Sequence, residues 1–446
     1  MAYEKNMTEG NELSHILRFT LPLLMGNLFQ QLYNVVDSVI VGRYLGYDAL
    51  ASVGATGSLT YFFYTFCIGL SVGSGILIAQ CFGAAREEDV KRYIVNSAYA
   101  ALIFGAVISV VAFLLSGPLL KLMNTPEEIY SAAHGYMQIA CIGTVAVSLY
   151  NWINAVMRSL GDSKTPLVFL IVASVINVVL DLVFVIVFKM GVNGAALATV
   201  IAQAVSAVGC MIFAFVKVKY FKLTSDEMKL RGIYFSKCIK TGVPIALQNS
   251  MISVSMIFLQ RVANGFGSVV MAAYTATMRV EQLVQQPFAS LNAALSTFAG
   301  QNMGAGYVDR TVRGYHKTVK IMIAFALVML VLFLIFSRNI VGIFVTEEAV
   351  IDIGSKALML SAFFYIPLGL IHTTRGLLNG AGDVTYAMIN GFVEVIGRIG
   401  FALILLQFPS VGIWAVWGTT CLTWVLTAAM SVARYHFGKW RNKVSA

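Results

Sequence analysis

Two aspartates, Asp37 and Asp181, lie inside apolar runs that are long enough to cross a membrane. An ionised aspartate at the centre of a bilayer costs about 3 kcal/mol, so a residue of this kind usually has a function. Each aspartate is accompanied by amides at helical spacing, which places the polar side chains of each run on one helix face. The first stripe is Asn27, Gln30, Asn34 and Asp37, and the second is Asn177 and Asp181.

The two carboxylates are predicted to meet. Asp37 lies near the end of its run, Asp181 lies late in its own, and Thr199 lies early in the next. A rise of about 1.5 Å per residue therefore puts all three at a similar depth. Carboxylate, amide and hydroxyl oxygens suit a hard cation, and two close carboxylates repel each other until one takes up a proton. The sequence thus predicts a site for Na⁺ or H⁺ at Asp37, Asn177, Asp181 and Thr199. The alternative for each residue alone is a hydrogen bond between helices.

The composition indicates which elements position these residues. Of the 446 residues, 58% are hydrophobic and 12% are charged, which predicts a polytopic membrane protein. Windows of about 20 apolar residues predict an all-α fold with twelve transmembrane helices, and none of the runs has the short alternation of a transmembrane β-barrel. The windows are 16–40, 57–80, 93–116, 135–157, 166–188, 192–216, 239–262, 272–299, 318–336, 355–378, 386–408 and 411–434.

Lysine and arginine indicate the orientation of these helices. They are concentrated in the terminal segments and in every second connection, above all in residues 217–240. By the positive-inside rule, both termini are predicted to be cytoplasmic. The formal net charge of +10 follows from this topology, so no nucleic-acid partner is predicted. The six cysteines are scattered singly, and neither a metal site nor a disulfide is predicted from them.

The chain repeats itself at a spacing of 221 or 222 residues. Pro22 corresponds to Pro244, and the Gly-Asp pair at 161–162 corresponds to the pair at 382–383. The repeat predicts two homologous six-helix bundles with the same orientation, related by an axis along the membrane normal. The predicted bundles are residues 1–218 and 239–446, joined by a cytoplasmic linker at 219–238. Pro22 is expected to bend the first helix, and the Gly-Asp pairs are expected to cap helices.

The acidic pair belongs to the first half alone, because Leu259 and Ala402 occupy the positions that correspond to Asp37 and Asp181. The second half has a polar cluster of its own, which consists of Arg279, Glu281, Glu394 and Arg398. Glu394 and Arg398 are four residues apart on one predicted helix and are expected to neutralise each other. The alternative is that this cluster lines or gates a cavity.

Several sequence strings resemble the multidrug and toxic compound extrusion (MATE) family over essentially the whole length: LPLLMGNLFQQLYNVVDSVIVGRYLG, AQCFGA with its copy AGQNMGAG, RSLGDSKTP and INVVLD. The acid of the first helix and the N-x-x-x-D string resemble the DinF-like branch. That resemblance implies a cation site at Asp37, Asn177, Asp181 and Thr199. It also implies a cavity or proton relay that includes Tyr136 and Asn154, beside the stripe of Asn27, Gln30 and Asn34.

The resemblance implies a secondary antiporter and not an enzyme. Such a protein exports organic, often cationic or amphipathic compounds in exchange for H⁺ or Na⁺ by alternating access. It is expected to need no cofactor beyond the coupling ion, to act as a monomer, and to lie in the plasma (inner) membrane, with small molecules and the lipid bilayer as its partners. The nearest alternative is a lipid-linked oligosaccharide flippase of the same superfamily. An intramembrane aspartyl protease would also contain two membrane aspartates, but neither the repeat nor the helix count requires proteolysis.

Overall fold

The computed structural model describes residues 4–123 and 125–443. The extreme termini, which the sequence predicts to be cytoplasmic, lie outside these residues. Within the described ranges the regular structure is helical, with fourteen α-helices, one π-helical segment and three 3₁₀ turns. The α-helices are α1 (Glu12–Leu45), α2 (Tyr47–Gly83), α3 (Glu87–Leu122), α4 (Glu127–Ile142), α5 (Thr144–Ser159), α6 (Lys164–Leu182), α7 (Gly191–Lys217), α8 (Gly232–Asn264), α9 (Ser268–Gly304), α10 (Val308–Gly342), α11 (Glu348–Phe363), α12 (Tyr365–Gly380), α13 (Val384–Leu405) and α14 (Ala415–Phe437).

Eight helical segments in the described part of the chain are long and apolar enough to cross a membrane, and two bent helix pairs raise the number to ten. The remaining long helices are α1 with 34 residues and α9 with 37 residues. Both contain amides and charged residues along their length, which lowers their mean hydropathy. The chain is therefore an all-helical, multi-pass membrane protein.

Two of the predicted helices are broken. The window at 135–157 contains α4 and α5, which meet at an angle of 47°, and the window at 355–378 contains α11 and α12, which meet at 51°. At the first break, the side chain of Val200 on α7 occupies the space that a Cβ atom of Gly143 would need. At the second, the Phe364 amide bonds to the Ser361 carbonyl at 2.9 Å, a tighter turn than an α-helix makes. These two bends account for fourteen helices where the sequence predicts twelve.

The described chain divides into two compact units. The first unit contains the residues up to Met7 together with Leu21–Ala246, and the second contains Thr8–Thr20 together with the residues from Leu247 onward. In α1 the division falls directly before Pro22, and in α8 it falls shortly after Pro244. Both prolines lie inside helices that continue past them, so the predicted bend at Pro22 stays a prediction.

Each unit has a buried aromatic anchor. In the first unit, Trp152 packs in a core with Leu77, Ile78 and Tyr93, and its indole donates to Ser97 Oγ at 2.8 Å. In the second unit, Trp417 donates to Thr277 Oγ1 at 3.1 Å. A membrane-embedded indole N–H needs such a partner, because no water is present to replace it. These contacts connect α5 to α3 in the first unit and α14 to α9 in the second.

The two Gly-Asp turns have the same backbone and different side-chain partners. Gly161 and Gly382 have φ values of +88° and +83°, a conformation that favours glycine. Asp162 Oδ1 accepts hydrogen bonds from the backbone N–H groups of Lys164 and Thr165 at 2.9 and 3.0 Å, which is the predicted cap at the start of α6.

Asp383 in the second turn is fully buried and pairs with Arg434 and Lys443, each at 2.7 Å. Burial raises the pKa of Asp383, but the hydrogen bonds from Arg434 and Lys443 outweigh it and hold the pKa below its usual value. The equivalent turns therefore stabilise the two units in different ways. The first caps a helix, and the second ties α14 and the segment after it to the start of α13.

Candidate cation site

The second predicted stripe is buried inside the first unit. Asn177 and Asp181 lie one turn apart on α6, with 1% and 0% of their surface exposed. Neither oxygen of the Asp181 carboxylate has a hydrogen-bond donor among the described residues. Directly after Leu182 the α-helix gives way to a π-helical segment, Val183–Val187. Segments of this kind are frequent at functional sites, and no pattern in the sequence predicts this one.

Thr199 on α7 connects three helices. Its Oγ1 accepts a hydrogen bond from Asn177 Nδ2 at 3.2 Å and lies 3.2 Å from the hydroxyl of Tyr33 on α1. Tyr33 is not among the predicted site residues, although its position four residues before Asp37 places it on the same face of α1. The hydroxyl of Thr199 thus joins α1, α6 and α7 beside the two aspartates.

Asp37 and Asp181 face each other at hydrogen-bonding range. An ionised carboxylate has no proton to donate, so two such groups can be joined only by a shared proton or by a cation between them. Oδ1 of Asp37 is also buried without another partner in the described part of the chain. This arrangement is the chemistry that the sequence predicts for the pair.

A small cavity of about 20 Å³ lies next to the Thr199 junction. That volume holds one water molecule or a small cation. Polar side chains from α1, α5, α6 and α7 lie around it, together with the apolar Leu170, Ala173 and Ala202. Its polar lining residues are Gln30, Tyr33, Tyr150, Ser174, Asn177, Thr199 and Gln203.

The structure places the other predicted residues of the first unit at different distances from the aspartates. Tyr136 on α4 is near enough to both carboxylates to interact with their charges. Asn154 is buried on α5 next to Tyr150 of the cavity wall, and its Oδ1 has no hydrogen-bond partner within the described ranges. Asn27 and Gln30 are half-buried, whereas Asn34 is exposed.

No three His, Cys, Asp or Glu side chains in the described chain group together as metal ligands.

The predicted cluster of the second unit is brought together only in part. Glu394 accepts a hydrogen bond from Arg398 at 3.1 Å, as the spacing predicts. Arg279 is exposed and forms no ion pair in the described structure, so its place in the cluster stays a prediction. Arg279 and Glu281 are two residues apart on α9 and therefore point in different directions. The second arginine beside Glu394 is Arg375 on α12, whose Nη2 lies 3.4 Å from Glu394 Oε2.

The MatE family model matches this chain twice, over residues 22–183 and 244–404. Together the matches cover most of the sequence. The chain belongs to the MatE family. The matches begin at Pro22 and Pro244, the two prolines that the internal repeat pairs. The first match of this MatE chain contains Asp37, Asn177 and Asp181, and the second contains Glu394 and Arg398.

Two curated relatives of this MatE chain come from Bacillus subtilis. The probable multidrug resistance protein YpnP is 29% identical over 445 residues, which cover 98% of this chain and 97% of that protein. The probable multidrug resistance protein YoeA is 28% identical over 435 residues, which cover 95% of this chain and 93% of that protein. The similarity to both relatives therefore extends over nearly the whole length of each pair of chains.

Solved structures share the fold of this MatE chain. A MOP superfamily transporter from Pyrococcus furiosus, for which a reverse polarity of the binding pocket is described, has a TM-score of 0.91 at 23% identity. A multidrug resistance MATE family transporter in an outward-facing conformation has a TM-score of 0.90 at 24% identity. Each comparison covers 98% of both chains.

Proposed function

We propose that this MatE protein is a secondary antiporter that exports organic, cationic or amphipathic compounds in exchange for H⁺ or Na⁺. The observation that carries the proposal is the pair formed by the buried Asp181 and the half-buried Asp37, two carboxylates at hydrogen-bonding range with no basic partner among the described residues. A membrane protein retains such a pair where a cation or proton binds and leaves. The multidrug resistance names of YpnP and YoeA support export as the direction of transport.

The proposed mechanism couples the two ligands by charge. A cation or proton that binds between Asp37 and Asp181 removes negative charge from the first unit and lowers the affinity for a cationic compound. By thermodynamic linkage, the compound lowers the affinity for the ion to the same extent. Asn177 and Thr199 supply further oxygens, and Tyr33 holds the Thr199 hydroxyl in place. The coupling ion then drives alternating access because it binds the two conformations with different affinity.

The proposal includes an arrangement of twelve spans. The eight apolar segments, the two bent pairs and the long helices α1 and α9 supply that number. Two homologous halves would then have the same orientation, with both termini in the cytoplasm and the protein in the plasma membrane. A bend at Pro22 is the proposed link between ion binding and movement of α1. The acids lie in the first unit, which favours the DinF-like branch, and two homologous halves in one chain favour a monomer.

Efflux of ethidium from cells that contain the protein tests this function. The pH gradient and the Na⁺ gradient are applied separately to the wild type, Asp37→Asn and Asp181→Asn. Asp352→Asn is the control, because Asp352 is an exposed acid on α11. We expect one gradient to drive efflux, and both site variants to lose it while the control retains it.

Full efflux by both site variants would exclude the acid pair as the coupling site. Absence of efflux from well-folded wild type would favour the lipid-linked flippase.

A further inference from the structure

The second unit contains a buried network around one partly exposed arginine. Arg375 Nη2 donates to Asn390 Oδ1 at 2.6 Å and approaches Glu394 Oε2 at 3.4 Å. Asn390 is held in turn by Gln248 and by the hydroxyl of Tyr386, each at 3.0 Å. The side chain of Arg375 is 12% exposed, whereas Asn390 is fully buried. The network therefore orients one guanidinium that a ligand can reach.

The carboxylate of Glu394 contacts two guanidinium groups. Its Oε1 accepts from Arg398 at 3.1 Å, and its Oε2 lies 3.4 Å from Arg375. Arg398 is completely buried and also donates to Ser255. Two positive charges and one negative charge leave a net charge of +1 in this network. Glu281, another buried acid of the unit, is near enough to Arg398 to interact with its charge but forms no ion pair with either arginine within the described chain, and its Oε1 has no partner there.

Three buried nitrogen atoms in this region have no hydrogen-bond partner in the described structure: Arg375 Nε, Arg398 Nε and His372 Nδ1. His372 precedes Arg375 by one turn of α12. Buried N–H groups of a guanidinium nearly always have an acceptor, and an unmet one points to a missing ligand or ion. A planar carboxylate fits the fork of an arginine with two parallel hydrogen bonds.

The internal repeat identifies the residues of the first unit that correspond to the two arginines. The residues 221 positions before Arg375 and Arg398 are Asn154 and Asn177, both neutral amides of the first unit. The first unit thus combines amides with two acids, and the second combines two arginines with one acid. These two positions are neutral in the first unit and positively charged in the second, while the acids of the first unit, Asp37 and Asp181, correspond to the apolar Leu259 and Ala402. A cation is the expected ligand of the first, and an anionic group is the expected ligand of the second.

We infer that Arg375 binds the carboxylate group of transported compounds, with Asn390 and Glu394 as positioning residues. The inference rests on the proposed export function and extends its substrates to zwitterionic and carboxylate-bearing molecules. In this assignment Arg398 holds Glu394 in place. The ligand carboxylate bonds to Nη1 of Arg375, which forms no hydrogen bond in the described structure and, unlike Nε, is not buried.

Equilibrium binding to purified protein tests the assignment, with no ion gradient present. The probes are a zwitterionic rhodamine with a free carboxylate and the methyl ester of the same dye, measured by fluorescence polarisation. We expect Arg375→Gln to weaken binding of the carboxylate dye about tenfold, since it removes a charge-assisted hydrogen bond, and to change binding of the ester less than twofold. Arg261→Gln, which removes an exposed arginine in the last turn of α8 in the same unit, should change neither. Equal loss for both dyes, or no loss for either, would overturn the assignment.

A second measurement covers the case in which Arg375→Gln does not fold. Excess benzoate should displace the carboxylate dye from the wild type and leave the ester bound, and displacement of both dyes or of neither would contradict the inference. The result is independent of the antiport proposal, because Asp37→Asn should lose coupled efflux and still distinguish the two dyes. Failure of coupling and failure of the carboxylate site therefore give different results.

Discussion

Asn177 on α6 donates a hydrogen bond of 3.2 Å to the hydroxyl oxygen of Thr199 on α7. That hydroxyl also lies 3.2 Å from the hydroxyl of Tyr33 on α1, and Asp181 lies one turn beyond Asn177 on the same face of α6. A single hydroxyl therefore sets the distance between the helix that carries Asp37 and the helix that carries Asp181. The coupling of ion binding to helix position would depend on this junction.

Thr199→Val should reduce the affinity for the coupling ion about tenfold. Valine has the shape of threonine but cannot bond to Asn177 or Tyr33, and a hydrogen bond of this kind contributes about 1 kcal/mol. The measurement is the Na⁺ or H⁺ concentration that gives half-maximal ethidium efflux. Thr199→Ser is the matched control, because serine retains the hydroxyl. If the valine variant behaved like the serine variant, the junction would have no part in ion binding.

Asp181→Asn should raise the melting temperature of the purified protein at pH 8 without Na⁺, while it abolishes coupled efflux. The buried carboxylate faces Asp37 and has no donor, so a neutral amide removes a repulsive interaction. Thermal melting with and without Na⁺ measures this effect, and Na⁺ should bring the wild type closer to the variant if Na⁺ is the coupling ion. A lower melting temperature would instead indicate that Asp181 is a structural link between helices.

The sequence predicts the positions of Asn177 and Asp181 well, because two polar residues four apart in an apolar run must share a helix face. Tyr33 is harder to predict, since a tyrosine in an apolar helix is usually part of the core. The bend at Gly143 depends on the side chain of Val200, which is distant in the chain. The spacing of apolar residues along 135–157 does not predict that contact. Non-local packing is therefore part of the first missed break, whereas the second contains the local bond from the Phe364 amide to the Ser361 carbonyl.

In the charged cluster of the second unit, too, a contact within one helix can be predicted from the sequence, whereas a contact between two helices cannot. The Glu394–Arg398 pair follows from spacing on one helix. Arg279 lies two residues from Glu281 on α9 and does not share a helix face with it, so its place in the cluster stays a prediction. Arg375 joins the cluster from another helix, α12, and only the packing of α12 against α13 places it beside Glu394. Charges on one helix can be paired from sequence, whereas charges on different helices require the fold.

Asp162→Ala should lower the stability of the protein by about 1 kcal/mol. The Asp162 carboxylate accepts from two backbone N–H groups at the start of α6 and from the Thr165 hydroxyl at 2.5 Å, and loss of such a cap has a cost of this size. Asp162→Asn keeps an acceptor oxygen and should lose less. The melting temperatures of both variants, compared with the wild type, give the order. Equal stability of all three proteins would show that the cap contributes nothing.

The contribution of Glu12 to stability should disappear in acid. Hydrogen bonds from Lys317 and Arg313 lower the pKa of Glu12 to about 2, although partial burial opposes them. A carboxylate with a depressed pKa stabilises the folded protein fully above the pKa of the unfolded chain, about 4.3, and loses that effect as the pH falls towards 2.

Glu12→Gln should therefore melt at a lower temperature than the wild type at pH 7, and the difference should shrink between about pH 4.3 and pH 2. Glu347→Gln, which changes an exposed acid of the same unit, should show no such trend. A constant difference at every pH would mean that the ionised carboxylate is not the stabilising group.

Gly242→Ala should destabilise the first unit through a steric clash between α8 and α2. A Cβ atom at residue 242 would lie 2.6 Å from the Cα atom of Leu70, which is backbone and cannot rotate away. Overpacking of this kind costs about 1–3 kcal/mol, so the melting temperature should fall by several degrees and efflux should fall with it. Gly232→Ala is the matched control on the same helix, because nothing lies within 4 Å of a Cβ atom there. Alanine is also a better helix former than glycine, so the control should be neutral or stabilising. If the two variants melted together, the close approach of α2 and α8 at Gly242 would not limit the stability of the unit.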